Sequence, residues 1–144
     1  MSKTIVLDVE TTGLDPQLDE ILQLSIIDEK GSILFNEYIK PVRHESWKDA
    51  EAIHHISPEM VKNCKTLDEH RETIQKILYD AIYIIGYNVD FDLQFLVFSG
   101  FNYYALKKID VMKDFAPIYG EWDEYHGDYR WQTLSLCAKY YGYQ

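Results

Sequence analysis

Basic side chains are scarce in this 144-residue chain: 14 Lys and Arg stand against 24 Asp and Glu, for a net charge of −10. That balance argues against broad electrostatic clamping of nucleic acid, which needs a basic stripe. It leaves room for a small site where metal ions supply the positive charge. Cysteine is scarcer still, with Cys64 and Cys137 the only two. They lie far apart, form no metal-spaced pair, and read as buried free thiols in a reducing compartment. No apolar run approaches the roughly 20 residues that span a bilayer. Nor does a secretory leader precede the strand-like residues that start close behind Met1. Low-complexity tracts and internal repeats are missing too. The expectation is a soluble, cytoplasmic protein with no membrane partner.

What remains is ordinary globular composition, 47% hydrophobic and 26% charged, enough for one domain spanning residues 1–144 with its own core. Residues 3–8 read as a first strand and Ile21–Ile27 as a second. Glu29-Lys30-Gly31 turns tightly into a third strand, Ser32–Ile39, so the first three form an antiparallel meander. Beyond Pro41, Trp47–Ile53 and Ser57–Val61 are short helical pieces, the latter capped by Ser57 with Pro58 at the first helical position. Thr66 and Glu69 match a capping box. The helix it opens carries Leu67, Ile74, Ile77, Leu78 and Ala81 on one face. Residues 81–86 are a fourth strand, Phe91–Phe98 a helix stopped by Gly100, Lys108–Val111 a short fifth strand, and Trp131–Tyr141 a final helix. A meander followed by crossovers implies an α/β fold: a mixed five-stranded sheet flanked by helices.

The stretch that organises this pattern is Ile5-Val6-Leu7-Asp8-Val9-Glu10-Thr11-Thr12-Gly13-Leu14. Its continuous apolar start predicts a central strand. Side chains alternate along a strand, so Asp8 and Glu10 project from one face near its end, where open α/β sheets place their sites. Paired carboxylates repel unless a cation or a shared proton lies between them, and hard oxygen ligands favour Mg²⁺ or Mn²⁺. The plainer alternative is a strand ending in a solvated acidic turn.

A second acidic stretch, Gly86-Tyr87-Asn88-Val89-Asp90-Phe91-Asp92, begins where the fourth strand ends. Asp92 falls in the first turn of the next helix, a position the helix dipole favours for a carboxylate in any case. A calcium loop starting at Asn88 fails, because the required Gly is Leu93 and the required Glu is Ser99. If strands one and four are parallel neighbours, Asp92 joins Asp8 and Glu10 in one metal-binding notch.

Asp8-Val9-Glu10-Thr11-Thr12-Gly13-Leu14 resembles the first motif of the DEDD-type (DnaQ-like) 3′–5′ exonucleases, the group containing the proofreading epsilon subunit of bacterial DNA polymerase III. Asn88-x-x-Phe91-Asp92-x-x-Phe95-Leu96 resembles the second, with Tyr87 where a His is common. Ile39-Lys40-Pro41, Ile53-His54-His55-Ile56-Ser57 and Leu134-x-Leu136-Cys137 with Tyr141-Gly142 resemble further family segments, in the same order. The resemblance implies a ribonuclease H-like fold and a two-metal-ion exonuclease, with Asp8, Glu10 and Asp92 as catalytic ligands of two divalent ions, Mg²⁺ or Mn²⁺. It places Thr11, Ile53, His54, Asn88 and Phe91 against the 3′-terminal nucleotide of single-stranded DNA or RNA. It also implies a polymerase or other protein as a possible partner. His55 stands where the family has Gly, which implies a narrower pocket there.

The family's third motif, a fourth carboxylate preceded by His or Tyr, should follow Gly142. No Asp or Glu occurs after Asp128, so the expectation is a domain truncated at its C-terminal end. His126 and Asp128 have the right chemistry but precede the final helix, and they read as an exposed loop. Two readings follow: an exonuclease that cleaves nucleic-acid 3′ ends, or a truncated or noncatalytic relative that binds an end or a protein without cleavage.

Overall fold

The computed structural model describes residues 3–143. Strands β1 (Thr4–Thr11), β2 (Ile21–Asp28), β3 (Ile33–Tyr38), β4 (Tyr83–Gly86) and β5 (Lys107–Asp110) form one sheet in the order β3-β2-β1-β4-β5. β1 pairs antiparallel with β2, and β2 with β3. β1 pairs parallel with β4, and β4 with β5. The expected meander and mixed sheet are therefore present. The turn between β2 and β3 closes because Gly31 takes a positive φ of 83°, while the Asp28 carboxylate accepts the N–H groups of Lys30 and Ser32.

Burial follows the alternation of β1: Ile5, Leu7 and Val9 are buried, while Asp8 is exposed and Glu10 half-exposed. The odd-numbered face packs on α3 (Arg71–Asp80) and α4 (Val89–Phe98) through Ile74, Leu78, Leu93, Phe95 and Leu96. A smaller core under α1 (Lys48–His54) and α2 (Pro58–Val61) gathers Leu22, Trp47, Ile56 and Val61. The Trp47 indole N–H donates to the Ile56 carbonyl at 2.7 Å, which gives the buried ring the partner it needs. Met112, Phe115, Ala116 and Cys137 are buried separately, beneath α5 (Val111–Tyr119) and α6 (Leu134–Tyr140).

Several local expectations are corrected. The Thr66–Glu69 capping box does not form; a 3₁₀ turn at Asp68–His70 precedes α3, whose N-cap His70 makes no side-chain cap. α6 starts at Leu134 rather than Trp131, because the Thr133 side chain accepts the Leu136 N–H and caps it. α5 was not expected; Pro117 lies inside it but only in its last turn, where it removes a single helical hydrogen bond. His126 and Asp128 are exposed as read, in a small hairpin of β6 (Trp122–Asp123) and β7 (Asp128–Tyr129). Cys64 is only half-buried, whereas Cys137 is buried; both are free. Among the described residues, no helix is long and apolar enough to cross a membrane.

Parallel pairing brings three strand ends to one edge. Val6 pairs with Ile85, and Gly86 with Asp110. Asp8, the segment after β4, and Asp110 therefore converge.

Candidate active site at the strand ends

Asp8 and Glu10 leave β1 on the same face, as alternation requires. Across the sheet on β2, Asp8 faces Ser25 and Glu10 faces Gln23. Both are neutral and hydrogen-bonded to Asn36, so the neighbouring strands bring no compensating charge. Among the described residues, no Lys or Arg pairs with Asp8, Glu10 or Asp92.

Asp92 reaches the same edge from the first turn of α4 and is only 2% exposed. Its carboxyl is pushed up to about 8, first by loss of water and then by the charges of Asp8, Glu10 and Asp110, against an opposing pull from the Val9 N–H. Partial loss of water around its carboxyl likewise raises Asp8, although the residue as a whole is exposed. Glu10 is raised by burial and by Asp8, while His54 lowers it. Three carboxylates thus feel one another with no cation among them. Asp92 also keeps Oδ2 buried with no hydrogen-bond partner, a costly state for an acceptor that nothing else satisfies.

Asp110 was not foreseen in the site. It caps α5: Oδ1 accepts the Met112 N–H and the Asn88 N–H, each at 3.0 Å, while Oδ2 is buried without a partner. An Asp directly before Val111, Met112, Phe115 and Ala116 is the signature of a helix start, which the reading of Lys108–Val111 as a strand passed over. Through the Asn88 N–H, Asp110 also fixes the backbone that enters α4. Asn88 itself sits in the left-handed region at φ 63°, which Asn tolerates better than most residues.

His54, the last residue of α1, ties that helix to the end of β1. Its Nδ1 accepts the Ile56 N–H at 3.1 Å, so Nε2 carries the proton and donates to the Thr11 carbonyl at 2.9 Å. Thr11 is buried, and its hydroxyl donates to the Gly13 carbonyl. Beside them Ile53 is 80% exposed and Leu14, in the turn, is 82% exposed, leaving apolar surface open near the acidic notch. Phe91 is half-buried against the core with its ring centroid 5.0 Å from that of Phe95. His55 is exposed. It occupies the left-handed C-cap of α1 at φ 62°, so the Gly expected there answers a backbone demand.

The donor set is wholly hard oxygen, which suits Mg²⁺ or Mn²⁺, and the unpartnered Asp92 oxygen beside the raised carboxyls suits a divalent cation. Among the described residues, no three His, Cys, Asp or Glu side chains are already closed around a single point.

Fold and site together define a ribonuclease H-like domain with a carboxylate centre at its strand ends. The chain belongs to the RNase T-type exonuclease family, which it matches over residues 5–141. It is similar to the PolC-type DNA polymerase III of Thermotoga maritima, 41% identical over 95 residues, covering 64% of this chain and 7% of that protein. An uncharacterized exonuclease of Escherichia phage 186 is 29% identical over 148 residues, covering 96% of this chain and 74% of the relative. The DNA polymerase III epsilon subunit of Rickettsia typhi is 35% identical over 99 residues, covering 65% of this chain and 42% of that one. The chain thus spans less than half the length of its polymerase relatives. E. coli exonuclease I, solved with a dA16 oligonucleotide, shares the fold with a TM-score of 0.74 at 21% identity, over 100% of this chain and 37% of the other.

Proposed function

We propose that residues 1–144 form the catalytic domain of a two-metal-ion 3′–5′ exonuclease acting on single-stranded DNA or RNA. The observation that carries this reading is the convergence of Asp8, Glu10 and Asp92 on one strand edge, with no Lys or Arg paired to any of them among the described residues. These three would hold two divalent ions, Mg²⁺ or Mn²⁺. Bound there, the ions would supply Lewis-acid activation of water and charge stabilisation at the departing oxygen of a phosphodiester. The chain's own part is to bring the three carboxylates together, where bound ions would favour their ionised forms, and to place the terminal nucleotide.

Thr11 and His54, tied to each other, and Asn88, fixed by Asp110, would contact the terminal nucleotide beside the acidic pair. Ile53 offers exposed apolar surface against which a terminal base stacks without regard to sequence, and Phe91 would contact the same nucleotide. The names of the polymerase relatives support a polymerase as protein partner.

The test is release of nucleotides from end-labelled single-stranded DNA and RNA with Mg²⁺, Mn²⁺ or chelator, beside Asp8→Ala. Metal-dependent release from the 3′ end that disappears in the variant is the expected result. Oligonucleotide binding without release by the wild-type chain would establish the noncatalytic reading in its place.

A further inference from the structure

Outside the carboxylate notch lies a second polar cluster that the proposed chemistry does not use. His44 stands between two acids: Nδ1 lies 2.8 Å from Glu20 Oε2, and Nε2 lies 3.2 Å from Asp19 Oδ1. Nδ1 is hydrogen-bonded to Glu20, and Nε2 makes a close polar contact with Asp19. Glu20 is 9% exposed and accepts three consecutive backbone N–H groups, those of Val42, Arg43 and His44, at 2.8–3.0 Å. Burial would raise its carboxyl, yet these bonds and the one from His44 hold it below the ordinary range. Arg43 adds only a long contact of 3.9 Å.

The cluster grips the turn that follows β1. Thr12 donates its N–H to the Glu20 carbonyl at 2.9 Å, and its hydroxyl to Asp19 Oδ1 at 3.0 Å. The same hydroxyl accepts the Glu20 N–H at 2.9 Å. Asp19 packs so closely on the turn that a Cβ on Gly13 would meet its carboxylate at 2.4–2.8 Å, a contact that demands movement. One residue back, the Thr11 carbonyl receives His54.

We infer that Asp19, Glu20 and His44 form a brace that sets the shape of the Thr11–Gly13 turn, making His44 a positioning residue for the terminal nucleotide. The functional half of this inference rests on the exonuclease reading above. Its structural half stands without it. The brace joins the turn to the start of β2 and to the 42–44 segment, and it does not touch Asp8, Glu10 or Asp92. Loosening it releases the turn while leaving the metal carboxylates in place, so the cost falls on substrate binding before turnover.

The experiment compares the wild-type chain with His44→Ala, His44→Gln and Asp19→Asn by amide hydrogen exchange and by Mn²⁺-dependent nuclease kinetics on a single-stranded oligonucleotide. In His44→Ala the Thr12 amide should exchange about tenfold faster, as the loss of one charge-assisted bond implies, while the Val9 and Leu24 amides keep wild-type rates. KM should rise by a similar factor, about tenfold, with kcat little changed and the Mn²⁺-induced rise in Tm retained. His44→Gln has one nitrogen in place of two spaced ones and should fall between. Asp19→Asn keeps an acceptor for Thr12 but gives up the carboxylate beside His44, and tests the brace if His44→Ala fails to fold. Wild-type exchange at Thr12 in both His44→Ala and Asp19→Asn overturns the brace. A fall in kcat at unchanged KM, or loss of the Mn²⁺ effect on Tm, overturns the positioning role. If the wild-type chain releases no nucleotide, the exonuclease reading fails, and the exchange rates still decide the brace.

Discussion

The charge of Asp110 helps hold the carboxyl of Asp92 far above its usual range, and each of the two keeps one buried oxygen with no hydrogen-bond partner. One of them ends β5 and the other opens α4, so the strain between them is built into the junction of two elements. Its consequences can be measured without any substrate.

Without divalent ions, stability should fall as pH rises from 5 to 8. Asp92 has an ordinary value of 3.8 and is pushed up to about 8 in the fold. Across that interval the folded chain binds more protons than the unfolded one, so raising pH favours unfolding, by at most about 1.4 kcal/mol per pH unit for one group. Asp8 and Glu10 are raised as well and act in the same sense. Urea unfolding in chelator at pH 5 and pH 8 measures this; equal midpoints would contradict it.

Divalent ions should reverse the loss. At a hundred times its Kd, Mn²⁺ adds about 2.7 kcal/mol, which raises Tm by several degrees. Asp92→Asn should unfold later than wild type in chelator at pH 8, because it removes a buried charge, yet gain little from Mn²⁺. A variant that responds to Mn²⁺ as strongly as wild type would remove Asp92 from the ligand set.

Two substitutions at Asp110 should behave oppositely. Asp110→Asn keeps an oxygen for the Asn88 and Met112 N–H groups and takes a charge away from Asp92. It should raise stability in chelator at pH 8. Asp110→Ala strands both N–H groups and uncaps α5, at a cost of about 1–2 kcal/mol. Thermal melts of the pair separate the cap from the charge.

His55→Gly should stabilise the chain by about 0.5–1 kcal/mol, since a side chain at φ 62° carries a penalty that Gly avoids. The bond from His54 to Thr11 should survive, so KM should not change. A higher melting temperature with unaltered kinetics is the expected pair of results.

The sheet was legible because its strands are apolar runs with turn chemistry between them, and β1 announces its functional end by placing Asp8 and Glu10 two residues apart. Asp92 was legible through Phe91, Phe95 and Leu96, which mark a helix whose first turn must face the end of a neighbouring strand. Asp110 was not, because the reading of Lys108–Val111 as a strand absorbed it and left the helix that follows unread. The Glu20–His44 contact was beyond reach for a different reason. It joins residues 24 positions apart through backbone N–H groups of an irregular segment, and no periodicity records that pairing. At Thr66 the local capping pattern was present, but the chain used those residues for a 3₁₀ turn and a bridge to Lys40, so tertiary contacts overrode it.

The pairing of Val6 with Ile85 also has a kinetic side. The β2–β3 hairpin closes over a few residues, whereas β1 meets β4 only after a long loop has been drawn shut, a step that is entropically expensive and slow. Asp8 and Asp92 lie on opposite sides of that closure. An ion held between them therefore reports on long-range order, and during refolding its binding should trail the hairpin. Mn²⁺ would serve as a chronometer for the last stage of assembly.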